Sequence, residues 1–276
     1  MPRRGHCRRL VEVSSNRALS HPLRDRRKPC RSSWLTTWRT STPDDSGFVP
    51  PDKNTAKCED TVAKSATKLA GCITKCQSKQ ADFVLKGKSF DEEACEEGTG
   101  KPVSCRAAYD NATASLVAKG ICPACLNTPA QGTLADLVTT FLENNNGQIY
   151  CAGSSNFGGD DTGFVPPDKN TAKCEDTVAK NATKLLGCVM KCHTKQADSA
   201  LAGQSFDEEA CEEGTGKPVS CRAAYDKATA SLIAKGICPA CLDATAQSNL
   251  ADLVTTFLED NNAQIYCAGS VPLPAP

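Results

Sequence analysis

Aromatic residues make up only 5% of the 276 residues, so any core this chain builds is a modest one. No apolar stretch approaches the roughly 18–20 residues needed to span a bilayer. No apolar run follows the opening arginines Arg3, Arg4, Arg8 and Arg9, so no export signal is visible there. Past His21 the chain holds a single histidine, His193, which removes any Ser–His or Cys–His catalytic arrangement shared by the chain's repeats. Strand signals are essentially lacking, and with them the βαβ frame in which thioredoxin-like CxxC chemistry sits.

Cysteine is what the chain has in excess. Eight cysteines recur at fixed spacings 116 residues apart: Cys58, Cys72, Cys76, Cys95, Cys105, Cys122, Cys125 and Cys151, then Cys174, Cys188, Cys192, Cys211, Cys221, Cys238, Cys241 and Cys267. An even count held at constant spacing reads as a disulfide framework. Residues 47–153 align without gaps on 163–269, and 88 of the 107 positions are identical. That closeness marks a recent duplication, so identity between the copies does not single out functional residues. A unit of this size buries a core unaided, and four cross-links per copy add to it.

The zero net charge is an average over unlike parts. Residues 1–46 carry 11 basic and 4 acidic side chains, the first repeat sums to −1, the second to −4, and Asp160 with Asp161 adds −2. The acidic repeats give no reason to expect nucleic acid as a partner. Residues 1–42 hold 10 of the 12 arginines and both tryptophans, Trp34 and Trp38. This Arg-rich arm reads as a disordered tail, as a targeting or nucleic-acid segment, or as residues read from a wrong start or frame near Ser41–Asp45. The last reading is preferred, because Pro43–Pro50 nearly repeats Gly159–Pro166 and the homology begins abruptly where the arginines stop. A signal peptide or a further repeat would then lie upstream.

Within one repeat, Lys53 to about Lys86 forms a long amphipathic helix. Val62, Leu69, Cys72, Ile73, Cys76 and Phe83 fall within about 60° of Cys58 at 100° per residue. Pro50 and Pro51 block its backward extension and Gly87 marks its end. Ser89-Phe90-Asp91-Glu92 reads as a capping box opening a short acidic helix to Gly98, and a Gly98–Pro102 turn follows. Ser104 caps a third helix to about Lys119, closed by Gly120. Thr133 opens a fourth helix through Leu142 that frays at Asn144–Gly147. In the second copy Asn249 replaces Thr133 and Ala263 replaces Gly147.

The fold class is therefore all-α: two tandem disulfide-rich helical bundles of about four helices each, preceded by the disordered arm 1–42. The repeats span 43–153 and 163–269, a flexible linker 154–162 containing Gly158-Gly159 joins them, and 270–276 is a Pro-rich tail. Eight cysteines permit 105 pairings. Cys95 and Cys105 flank a tight turn and are the pair with a geometric basis, whereas Cys72 and Cys76, at i and i+4, bond outward to other elements.

The Cys122-Pro123-Ala124-Cys125 loop and its copy at Cys238–Cys241 are the sharpest motif. A CxxC at a helix N-terminus holds a low-pKa thiolate, but Pro129 and the Gln131-Gly132 turn set the loop apart from the next helix, so its reading is structural. The alternative gathers Cys72, Cys76, Cys122 and Cys125, with Cys188, Cys192, Cys238 and Cys241, into four-cysteine metal sites or thiol-redox pairs. His193 corresponds to Gln77, so it reads as an exposed helical histidine. Asp91, Glu92, Glu93, Glu96 and Glu97 lack the ligand spacing of an EF-hand loop. The first three favour the helix dipole, and Glu96 and Glu97 are left unexplained. The sequons at Asn111 and Asn181 sit at non-equivalent positions and read as chance.

The segments Lys57–Lys64, Ser89–Glu96, CPAC and Ile149–Gly153 together resemble a cysteine-rich helical repeat of predicted secreted bacterial proteins. The resemblance covers both repeats and not the arm. It implies export, and carries no activity, cofactor or catalytic residue. The function expected is thus a non-enzymatic, secreted or periplasmic repeat protein with a structural or partner-binding role. Its partner would be a protein or cell-surface ligand, bound with avidity by two tethered copies.

Overall fold

Asp52 starts the longest helix. Its carboxylate accepts from the amides of Asn54 and Thr55 at 2.7 and 3.1 Å, pairing donors that a first helical turn leaves open. Helix α1 then runs Lys53–Leu85 and ends at Gly87, which takes φ +67° as a left-handed terminus requires. The computed structural model describes residues 46–99, 103–215 and 219–274. The readings made for the arm 1–42 and for part of the Gly98–Pro102 turn lie outside them.

Helices α2 (Glu92–Glu96), α3 (Cys105–Ala118) and α4 (Thr128–Asn145) follow. Strands β1 (Asn156–Gly158) and β2 (Asp161–Phe164) form a small antiparallel hairpin. The second copy supplies α5 (Lys169–Leu201), α6 (Glu208–Glu212), α7 (Cys221–Ala234) and α8 (Ala244–Asn261). The all-α class holds, with the hairpin the sole sheet among the described residues.

Several boundaries differ from expectation for identifiable reasons. Asp91, not Ser89, caps α2 by accepting from Ala94 N at 2.9 Å. Helix α4 begins a turn before Thr133: Asn127 accepts from Ala130 N at 3.0 Å and Pro129 sits in the first turn, where its missing N–H costs nothing. Thr133 is inside the helix, its hydroxyl donating to the Pro129 carbonyl. Phe83 lies beyond the packed part of α1, is 37% exposed, and meets Phe90 at 5.3 Å. Ser104 and Gly120 bound α3 as expected.

Helices α1 and α5 cross at the centre. A Cβ on Gly71 would stand 3.3 Å from the Thr183 methyl, and one on Gly187 would stand 3.0 Å from that of Thr67. Gly71 and Gly187 are the same position of the repeat, as are Thr67 and Thr183, so the contact is made twice under a pseudo-two-fold axis. The numbers run in opposite directions, which makes the helices antiparallel.

The two copies therefore do not stand apart as bundles on a tether. The described residues form one compact unit. Two disulfides cross between copies, Cys125–Cys267 and Cys151–Cys241. Each repeat's end also docks on the other repeat's long helix: Glu59 accepts from Cys267 N and Ala268 N, and Glu175 from Cys151 N and Ala152 N, all at 3.1 Å. The Tyr150 hydroxyl donates to Asp176 at 2.8 Å and that of Tyr266 to Asp60 at 3.1 Å.

The segment 154–162, expected to be flexible, carries β1 and the start of β2. Phe157 is buried against Tyr150, 4.9 Å between ring centroids. Gly163 takes φ +105°, and a Cβ there would lie 2.6 Å from the Tyr150 carbonyl oxygen. Glycine is thus needed on both steric and conformational grounds. The tail packs as well: Leu273 is buried and its N–H donates to the Gly47 carbonyl.

Candidate functional site

All sixteen framework cysteines are cross-linked. The intra-repeat pairs are Cys58–Cys122, Cys72–Cys105 and Cys76–Cys95, repeated as Cys174–Cys238, Cys188–Cys221 and Cys192–Cys211. Cys72 and Cys76 do bond outward, to α3 and α2. The expected Cys95–Cys105 bond is not formed: each of the two reaches past the turn to α1, because α1 is the element that α2 and α3 pack on.

The alternative metal or redox set is dispersed in the same way. Cys72, Cys76, Cys122, Cys125, Cys188, Cys192, Cys238 and Cys241 belong to eight different disulfides. The sulfurs of Cys76 and Cys105 approach to 3.6 Å as members of neighbouring disulfides, not as paired thiolates. Within CPAC, Cys122 ties the loop to its own long helix and Cys125 ties it to the other repeat.

The disulfide between α1 and α2 builds something the spacing did not announce. Cys76 precedes Gln77 and Cys95 precedes Glu96, so joining the cysteines brings their neighbours together. Glu92 and Glu96, four residues apart, share a face of α2 and are 6% and 2% exposed. The hairpin supplies Asp161, held by a 2.8 Å bond from Gln77 Nε2 to its Oδ1. One oxygen of each of Glu92, Glu96 and Asp161 comes within 4.8 Å of the others.

Removal from water pushes all three carboxyls upward. Burial first, then the neighbouring Glu92, raises Glu96 to about 12. Burial and the charge of Glu92 raise Asp161 to about 8, and Glu92 is raised chiefly by burial. Glu143, pushed to about 7 by burial and by Asp160, extends the acidic field at the rim.

In the second repeat the same construction joins Cys192 to Cys211 and so His193 to Glu212. His193 is not the exposed helical residue expected. It is fully buried, with Nε2 at 3.1 Å from Glu212 and 3.4 Å from Glu208. The reason is the disulfide, which closes α6 over the turn of α5 that carries the imidazole. Glu96, unexplained by helix-dipole arguments, is likewise a buried inward residue. Asn181, carrying one of the two sequons, is 7% exposed and accepts from Lys184 Nζ.

Among the described residues no helix is long and apolar enough to cross a membrane. No protein-family model matches the chain, and no curated protein or solved structure is similar to it.

Proposed function

We propose that this protein is a non-enzymatic, secreted or periplasmic scaffold whose two interlocked repeats act as one structural or partner-binding unit. The observation that carries the reading is the consumption of all sixteen repeat cysteines in eight disulfides. Such a density of cross-links belongs to an oxidising compartment. The CPAC loops then serve as staples, one bond within the repeat and one between repeats, so neither loop offers a dithiol for exchange.

Avidity between tethered copies is replaced by a single rigid body. The expected partner, a protein or a cell-surface ligand, meets both repeats at once.

The test is intact mass on protein from an oxidising host, alkylated under denaturing conditions before any reduction. Residues 47–269 should be sixteen hydrogens light, two for each of the eight bonds, and take up no alkylating agent. Alkylation at Cys122, Cys125, Cys238 or Cys241, together with reduction of insulin, would overturn it in favour of a thiol oxidoreductase.

A further inference from the structure

The two pockets beside the α1–α2 and α5–α6 disulfides differ in one respect that bears on ligands. In the second repeat an imidazole faces Glu208 and Glu212. In the first, the equivalent residue is Gln77, an amide without charge. Asp161 corresponds by the 116-residue offset to Asp45, which lies outside the described residues.

Among the described residues, the first pocket thus gathers three carboxyls with no ion pair to a cationic side chain. Each retains a buried oxygen that no donor outside the three carboxyls reaches among the described residues: Glu92 Oε1, Glu96 Oε1 and Asp161 Oδ2. Buried acceptors left open in this way are costly, and more so when ionised. Gln77 uses its amide on Asp161 Oδ1 and so leaves Oδ2 available.

The donor set is all oxygen, from two elements pinned by a disulfide and a hairpin. We propose that Glu92, Glu96 and Asp161 form a binding site for one calcium-type divalent cation in the first repeat. Hard cations take carboxylate oxygens at about 2.3–2.6 Å, so two ligands on opposite sides of Ca2+ stand up to about 5 Å apart. The 4.8 Å limit on the oxygen separations falls inside that span. Three carboxylates provide up to six oxygens, and water completes the shell. Glu93, Glu143 and Asp160 at the rim raise the local cation concentration. The site makes the hairpin a ligand-bearing element: cation binding ties residues 156–164 to α2, and so the junction between repeats to the body of the first.

Protein stripped with EDTA and exchanged into volatile buffer is titrated with CaCl2 and followed by native mass spectrometry and thermal unfolding, with MnCl2 and ZnCl2 in parallel. One Ca2+ per chain is expected, with a melting temperature that rises with free Ca2+ as mass action requires. Glu96→Gln should weaken the apparent Kd by at least about 10–100-fold while keeping all eight disulfides and the helical signal. Asp161→Asn, placed on the hairpin, gives the same answer should Glu96→Gln fail to fold. Glu212→Gln, in the second repeat, should keep the Ca2+. Absence of bound Ca2+ at millimolar concentration overturns the proposal. So does Ca2+ binding that survives both Glu96→Gln and Asp161→Asn, and so does uptake of Zn2+ alone.

Discussion

Phe141 stacks on Phe257 with ring centroids 3.8 Å apart and planes 16° from parallel. The two are the same position of the two repeats, so the pseudo-two-fold axis passes between the rings. In a chain so poor in aromatics this pair is a main apolar contact between α4 and α8. Phe141→Ala or Phe257→Ala should each cost about 2–4 kcal/mol. The double variant should cost less than the sum by about 0.5–1.5 kcal/mol. Guanidinium unfolding with the disulfides intact measures this. Additive losses would mean the rings do not stack.

Interlocking by Cys125–Cys267 and Cys151–Cys241 predicts a behaviour that two tethered bundles lack. Ser154 and Ser155 are exposed, and a protease site placed there permits one cut between the repeats. The cut chain should run as a single species without reductant and as two after reduction. Separation of the halves before reduction would place every disulfide within a repeat.

Glu59 and Glu175 set a pH dependence. Each is fully buried, each accepts two backbone N–H groups from the other repeat, and burial raises each to about 7. A carboxyl raised above its unfolded value of 4.5 leaves the folded state holding more protons than the unfolded state between those pH values, so stability falls as pH rises. The loss begins above pH 4.5 and is complete above about pH 7. Replacing both by glutamine keeps an acceptor oxygen and removes the ionisation. The double variant in EDTA should gain about 2–4 kcal/mol over the wild type at pH 8 and little at pH 4. Urea midpoints across that range decide it, and parallel curves for the two proteins would refute the assignment.

The sequence carried the local structure well and the long-range structure poorly. The stripe from Cys58 to Cys76, the Ser104 cap and the Gly87 and Gly120 ends were all legible, because each rests on residues within a turn or two. The Asp91 and Asn127 caps were missed because a neighbouring residue, Ser89 or Thr133, offered an equally good local motif. Pairing across the repeats was out of reach: Cys125 stands 26 residues from Cys151 and 142 from Cys267, and spacing alone does not tell a bond within a copy from its exchanged equivalent. The acidic pocket follows from one pairing, Cys76–Cys95. Had that bond been given, the positions Gln77 and Glu96, or His193 and Glu212, would have been adjacent by inspection. His193 looked dispensable because its copy is Gln77, yet that difference is what makes the two pockets unlike.

The same difference supplies a reciprocal test. His193 is buried beside Glu208 and Glu212, where its ring nitrogen meets both carboxyls and a glutamine would offer an amide instead. His193→Gln places the first repeat's amide between Glu208 and Glu212 and should cost about 1–3 kcal/mol in EDTA. Gln77→His places an imidazole beside Glu92 and Glu96, and should stabilise the protein under the same conditions. Glutamine and histidine are close enough in volume that packing changes little in either exchange, so opposite signs report the electrostatics of the pockets. Thermal unfolding in EDTA reads both. Two losses, or two neutral results, would mean that the imidazole contributes shape alone.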